Sequence, residues 1–137
     1  MWLAFSAGSA FFAGVTSILA KCGIRKTDSN LATAIRTIVV LIFAWAMVFL
    51  VGSQEQIAQI SGRSLLFLVL SGLATGASWL CYFKALQLGP ASLVAPVDKL
   101  SILVTVAFSR IVFHERLTRR TALGLGLITA GTLLLLF

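Results

Sequence analysis

Five apolar stretches, separated by short polar breaks, take up most of the chain. Trp2 to Ala20 is uncharged and ends at Lys21, and Leu31 to Ile35 leads through Arg36 into a run without charge as far as Glu55. Ser64 to Phe83 stops at Lys84. The fourth stretch follows Gly89-Pro90, reaches Ser109 and is interrupted by Asp98 and Lys99, and the fifth covers Thr121 to Phe137. A helix rises 1.5 Å per residue, so ~20 mostly apolar residues cross the hydrocarbon of a bilayer. The pattern predicts an all-α polytopic membrane protein with five transmembrane helices, over about 2–24, 31–51, 64–87, 90–112 and 120–137. An odd number of crossings puts residues 1 and 137 on opposite sides. The last run has 17 residues and is short for a span, but mismatch costs only fractions of a kcal/mol per Å.

Composition agrees with that reading. Mean hydropathy is +1.03, and 59% of the residues are apolar against 11% charged, too apolar for helices of a water-soluble core. The polar stretches Gly23–Asn30, Gly52–Arg63 and His114–Arg120 leave no room for a soluble catalytic module. No cleaved signal peptide is expected, because Met1 to Ala20 has no Lys or Arg ahead of its apolar part. A net charge of +7 would point to nucleic acid in a soluble protein. Here the cations sit within or at the ends of spans and in short loops, so the expected partner is the anionic head group of membrane lipid, and nucleic acid is not expected. Cys22 and Cys81 lie in apolar surroundings without CxxC or His spacing and read as packing residues. His114 has no metal-ligand companions, and Gly124-x-Gly126 lies inside an apolar span rather than after a strand. Neither an enzyme nor a cofactor or metal site is expected.

At 100° per residue, hydroxyl and small residues line up along three spans. Ser6, Ser9, Ala13, Thr16, Ser17 and Ala20 share one face of the first; Ser71, Thr75, Ser78 and Tyr82, with Trp79 beside them, recur in the third; Asp98, Ser101, Thr105 and Ser109 do so in the fourth. Close helix packing explains such stripes without a cavity, since small residues let backbones approach and hydroxyls bond across helices for ~0.6 kcal/mol. Gly72-x-x-x-Gly76, Gly124 and Gly131 read as packing residues on that ground. A carboxylate and aromatic side chains on the third and fourth stripes argue instead for a polar cavity.

The charges inside the spans are the strongest functional signal. Asp98 lies eight residues beyond Pro90, ~12 Å into its helix and close to the midplane. A charge there costs ~2.5–3.5 kcal/mol on insertion scales, which makes it a candidate for function. Lys99 follows at 100° around the helix, so the two side chains need not pair. Pro96 lacks the amide that would bond the Ser92 carbonyl and reads as a helix break that frees a polar oxygen. Lys21 and Arg36 flank the first turn and Lys84 lies five residues before Gly89. Lys21 and Lys84 can also snorkel to head groups. Within the spans Lys21, Arg36, Lys84 and Lys99 stand against Asp98, a surplus of positive charge that favours an anionic or zwitterionic ligand. Asp98 is the candidate carrier of a coupling proton.

Charge does not fix the orientation of the chain. The side holding the Gly23–Asn30 and Gly89-Pro90 turns has Lys21, Arg25, Lys26, Arg36 and Lys84; the other has Arg63, Arg110, Arg116, Arg119 and Arg120, five against five. Without the cations inside apolar runs the count is two against five, which would put the N-terminus in the cytoplasm. The tie permits insertion both ways up, and an oppositely inserted copy would supply the inverted repeat that many transporters carry within one chain.

Ala91-Ser92-Leu93-Val94-Ala95-Pro96, then Phe113-His114-Glu115-Arg116-Leu117-Thr118, then Gly124-Leu125-Gly126-Leu127-Ile128-Thr129-Ala130-Gly131 resemble the C-terminal part of an EamA-type domain of the drug/metabolite transporter superfamily. The chain resembles its single-domain, five-span members, one half of the usual ten-span inverted-repeat architecture. The family commonly has Gly where His114 stands; Glu115 reads as structural, bonding local backbone or an Arg near the fifth span. The resemblance implies a multi-pass secondary transporter of small metabolites in the cytoplasmic membrane, with a cavity lined mainly by the first four spans. Joined to the charge reading, it gives an alternating-access antiparallel homodimer with Trp79, Tyr82, Lys84, Asp98, Lys99 and Ser101 facing the cavity, Lys21 and Arg36 bordering it, and a proton or other ion as coupling partner. The alternatives are a subunit of a lipid-linked anion flippase and a non-transporting membrane scaffold.

Overall fold

A computed structural model describes residues 1–137. It is helical, without strands. Helix α1 covers Trp2–Ile24, α2 Ser29–Val51, α3 Gly62–Leu88, α4 Ala91–Asp98, α5 Ser101–Val112 and α6 Arg119–Leu136. Five helical segments are long and apolar enough to cross a membrane, with α4 and α5 together making the fourth at Ala91–Val112. The protein is a multi-pass membrane protein, and its spans fall close to the boundaries expected from the apolar pattern.

The boundaries have local causes. Asp28 caps α2, its carboxylate accepting from the amides of Asn30 at 3.0 Å and Leu31 at 3.1 Å, two of the donors that a helix start leaves unmet. Gly52 ends the same helix with φ +84°, a left-handed turn that lacks the Cβ penalty of other residues. Thr118 caps α6 by accepting from the Thr121 amide at 3.2 Å. Part of the polar stretch after α2 forms a 3-10 helix over Ser53–Gln59, which sequence periodicity did not predict. His114 is the only residue other than glycine with positive φ, at 54°. That geometry is why glycine suits the position better, and histidine adopts it at a steric cost.

The chain divides into two compact units, Met1–Leu88 and Gly89–Phe137. In the first, α1 and α2 both pack on α3 and touch each other. Its buried residues are Ser17, Ala20 and Ile24 of α1, Ser29 and Thr33 of α2, and Phe83 and Leu86 of α3, most of them near the α1–α2 turn and the end of α3. Small and hydroxyl residues thus make up much of the packed interior, as expected where lipid removes the hydrophobic drive for association. Large apolar residues such as Phe11, Phe12, Ile38 and Phe43 stay exposed, a surface suited to acyl chains. In the second unit α4 packs on α6.

The fourth span is broken, as Pro96 leads one to expect, but the break falls a few residues beyond the proline: backbone bonds there run from Leu100 to Val97 at 3.0 Å, Ile102 to Lys99 at 3.1 Å and Leu103 to Leu100 at 2.9 Å, each only three residues back. Pro96 removes one donor from the ordinary ladder, and the chain tightens just beyond it. At Gly72, Gly76, Gly124 and Gly131, expected as packing residues, a Cβ would meet no atom of the chain within 4 Å.

Asp28→Ala, which removes both capping bonds, should lower stability by about 0.5–2 kcal/mol, read as a lower thermal midpoint in detergent. His114→Gly should move the midpoint the other way, by up to ~1 kcal/mol.

Candidate functional site

Arg36 lies seven residues into α2, ~10 Å along the helix. Its guanidinium carbon stands 4.0 Å from the ring centroid of Phe83 on α3, a cation–π contact of ~0.5–2 kcal/mol. The Nη1 nitrogen is buried and meets no acceptor. Both residues line a cleft of about 370 Å³ between α1, α2 and α3, whose remaining walls include Leu19, Ala20, Ile24 and Ile35. Thr16 and Thr27 are the other polar side chains of its lining, and no carboxylate is among them. A buried donor without a partner is expensive, so a guanidinium held this way is prepared for an acceptor from outside the chain.

A set of polar contacts holds the walls of the cleft. The Ser17 hydroxyl donates to the Ala13 carbonyl at 3.1 Å and lies 2.6 Å from the Tyr82 hydroxyl. The hydroxyl pair joins α1 to α3. Lys21 Nζ donates to the carbonyl of Leu86, a cation placed against the C-terminal end of α3 where the helix dipole favours it. Gln87 Nε2 donates to the carbonyls of Ile24 at 3.2 Å and Thr27 at 2.8 Å, tying the end of α3 to the α1–α2 turn. Lys84 is exposed and reaches the Gln87 Oε1 at 3.4 Å. Lys21 and Lys84 therefore serve helix ends in this arrangement, while Arg36 lines the cleft. Trp79 is half-buried on α3.

In the second unit, Asp98 ends α4 and Ser101 begins α5. Lys99 Nζ approaches Asp98 Oδ2 to 4.0 Å, with the lysine side chain 65% and the carboxylate 37% exposed. The two lie at the edge of ion-pair reach, beside the break that follows Asp98. That break interrupts the stripe from Asp98 to Ser109. The backbone ladder around the break passes over the Pro96 and Asp98 carbonyl oxygens, which leaves acceptors next to the carboxylate.

Three of the striped hydroxyls, Ser6, Ser17 and Thr75, donate to the carbonyl four residues back, as Thr33, Thr37, Thr129 and Thr132 do outside the stripes, a bond that makes a hydroxyl tolerable in lipid without any cavity. Phe83 and Gln87 were not singled out from the sequence. A lone glutamine in the last turn of an apolar span was the available signal for Gln87; Phe83 is one of ten phenylalanines and carries none. Glu115 forms no ion pair with the arginines around it; its amide bonds the Ser109 carbonyl at 3.4 Å.

The model of the EamA-like transporter family matches residues 1–137. The chain belongs to the EamA-like transporter family. An uncharacterized transporter encoded in the cobO 3' region of a Sinorhizobium species is 47% identical over 134 residues, spanning 98% of this chain and 95% of that protein. Over 69 residues the chain is 33% identical to a probable 4-amino-4-deoxy-L-arabinose-phosphoundecaprenol flippase subunit ArnE of Aeromonas hydrophila, covering 50% of this chain and 60% of that one. The same identity and coverage hold for the Aeromonas salmonicida protein of that description. No solved structure matches the chain. This EamA-like chain is thus a transporter rather than an enzyme, built of five spanning helices.

Gln87→Leu keeps the size of the side chain and removes both bonds to the α1–α2 turn. It should cost about 1–3 kcal/mol and speed amide hydrogen exchange at residues 24–28, with the exchange of α6 unchanged.

Proposed function

We propose that the chain is a secondary active transporter of small anionic or zwitterionic metabolites, working by alternating access as an antiparallel homodimer in the cytoplasmic membrane. Residues 1–137 act as one half of a ten-span architecture, and an oppositely inserted copy supplies the other half. The observation that carries the ligand class is Arg36, stacked on Phe83 with a buried nitrogen that no group of the protein accepts from. A scaffold would have no use for an unpaired cation at the wall of a cleft. Family membership over the whole chain supports transport. The even count of Lys and Arg on the two sides supports dual insertion. Asp98, with its side chain 37% exposed beside the break in the fourth span, is the proposed carrier of the coupling proton. Lys99, Ser101, Trp79, Tyr82 and Lys84 face the translocation path in one or other state of the cycle. Lys21 borders it.

A second reading, a subunit of a flippase for a lipid-linked anion, draws on the partial likeness to the probable flippase subunits. It requires a second, different chain. Native mass spectrometry separates the two, with a homodimer expected here.

Reporter domains fused after Phe137 should be found on both faces of the membrane in comparable amounts; a single location would remove the antiparallel dimer. In proteoliposomes holding a pH-sensitive dye, addition of amino acids, organic anions or phosphates should drive proton movement for at least one class. Asp98→Asn should abolish that signal. If the variant keeps the wild-type rate and pH dependence, Asp98 is not the carrier.

A further inference from the structure

The Arg36 cleft is more selective than the class just proposed. We propose that it holds the single anionic head of an amphiphile whose apolar body lies along Ile24 and Ile35, and that it rejects zwitterions. The inference deepens the transport reading and rests on it only in taking the occupant of the cleft for the cargo.

Stacking fixes the guanidinium. With its carbon 4.0 Å from the Phe83 centroid, the group keeps its in-plane N–H edge for hydrogen bonds, and a guanidinium edge matches the paired oxygens of a carboxylate or phosphate. The buried Nη1 has no acceptor in the protein, so an arriving anion makes a charge-assisted bond without displacing an internal one. An ammonium would find no opposite charge. The lining holds no carboxylate to receive it, and in this space it would sit beside a like charge with most of its hydration lost. Thr16 and Thr27 add hydroxyls that accept or donate, while Leu19, Ala20, Ile24 and Ile35 present hydrocarbon. A volume of about 370 Å³ falls within the ~300–1,000 Å³ usual for small-molecule sites. One fixed cation, no acid and apolar walls specify a single anionic head on a greasy body.

A free amphiphile and a membrane lipid can both present such a head, and the experiment separates them. Purified protein in phosphatidylcholine nanodiscs is titrated with hexanoate, hexyl phosphate, leucine and hexylamine, and its thermal midpoint is followed. Hexanoate or hexyl phosphate should raise the midpoint by about 3 °C near saturation, with no shift from leucine or hexylamine. If discs containing phosphatidic acid already show the raised midpoint and hexanoate adds nothing, the head is a lipid's; if they do not, it is a free amphiphile's. Arg36→Gln should erase the response and Arg36→Lys should weaken it about tenfold. Should Arg36→Gln fail to fold, Thr27→Asp, which brings a carboxylate to the lining, should erase it as well. Equal stabilisation by leucine and hexanoate, or a full response in Arg36→Gln, would overturn the proposal. Proton-coupled transport of leucine with no hexanoate binding would overturn it and leave the transport reading intact. Hexanoate binding without transport would do the reverse.

Discussion

Inside a bilayer no water is available to complete a hydrogen bond, and most of this structure follows from that shortage. Backbone groups are satisfied by running as helix across each span. Several side-chain hydroxyls are satisfied by the carbonyl one turn earlier, as for Thr33, Thr75 and Thr132. Where the α1–α2 turn frees carbonyls, an amide from α3 arrives to meet them. Against that background of local settlement, the guanidinium of Arg36 stands out as a strong donor left open by the protein. The reading of the protein as a carrier of anions starts from that exception.

The spans were legible in the sequence because lipid selects over some twenty residues at once, and that signal survives any single polar intrusion. Their ends fall where one residue does the work alone, as at Asp28, Gly52 and Thr118, though the apolar pattern by itself marks only the polar breaks around them. The path of the chain between Asp98 and Ser101 was harder to foresee. Pro96 announced a disturbance, but where the ladder tightens depends on how the following residues settle. The 3-10 helix at Ser53–Gln59 has no period long enough to register. At His114 the resemblance to a glycine-bearing family turned out to have a backbone cause.

The site was legible only in its charged member. Arg36 announces itself because a cation in an apolar run is rare. Phe83 becomes informative once packing places its ring under that cation, and no pattern of neighbours in the chain encodes that meeting. The stripes were a weaker guide: a hydroxyl that bonds its own helix and a hydroxyl that faces a cavity share the same spacing. Ser17 and Tyr82 separate from the rest because their contact joins residues 65 positions apart.

Gln87 has a mechanical consequence. One side-chain amide clasps two carbonyls, those of Ile24 and Thr27, so α3 cannot creep along α1 by small amounts and keep both. Sliding by a full turn, ~5.4 Å, would surrender them together. Any rearrangement at that end of the bundle must therefore be a discrete jump between registers, and the corner behaves as a detent rather than a bearing.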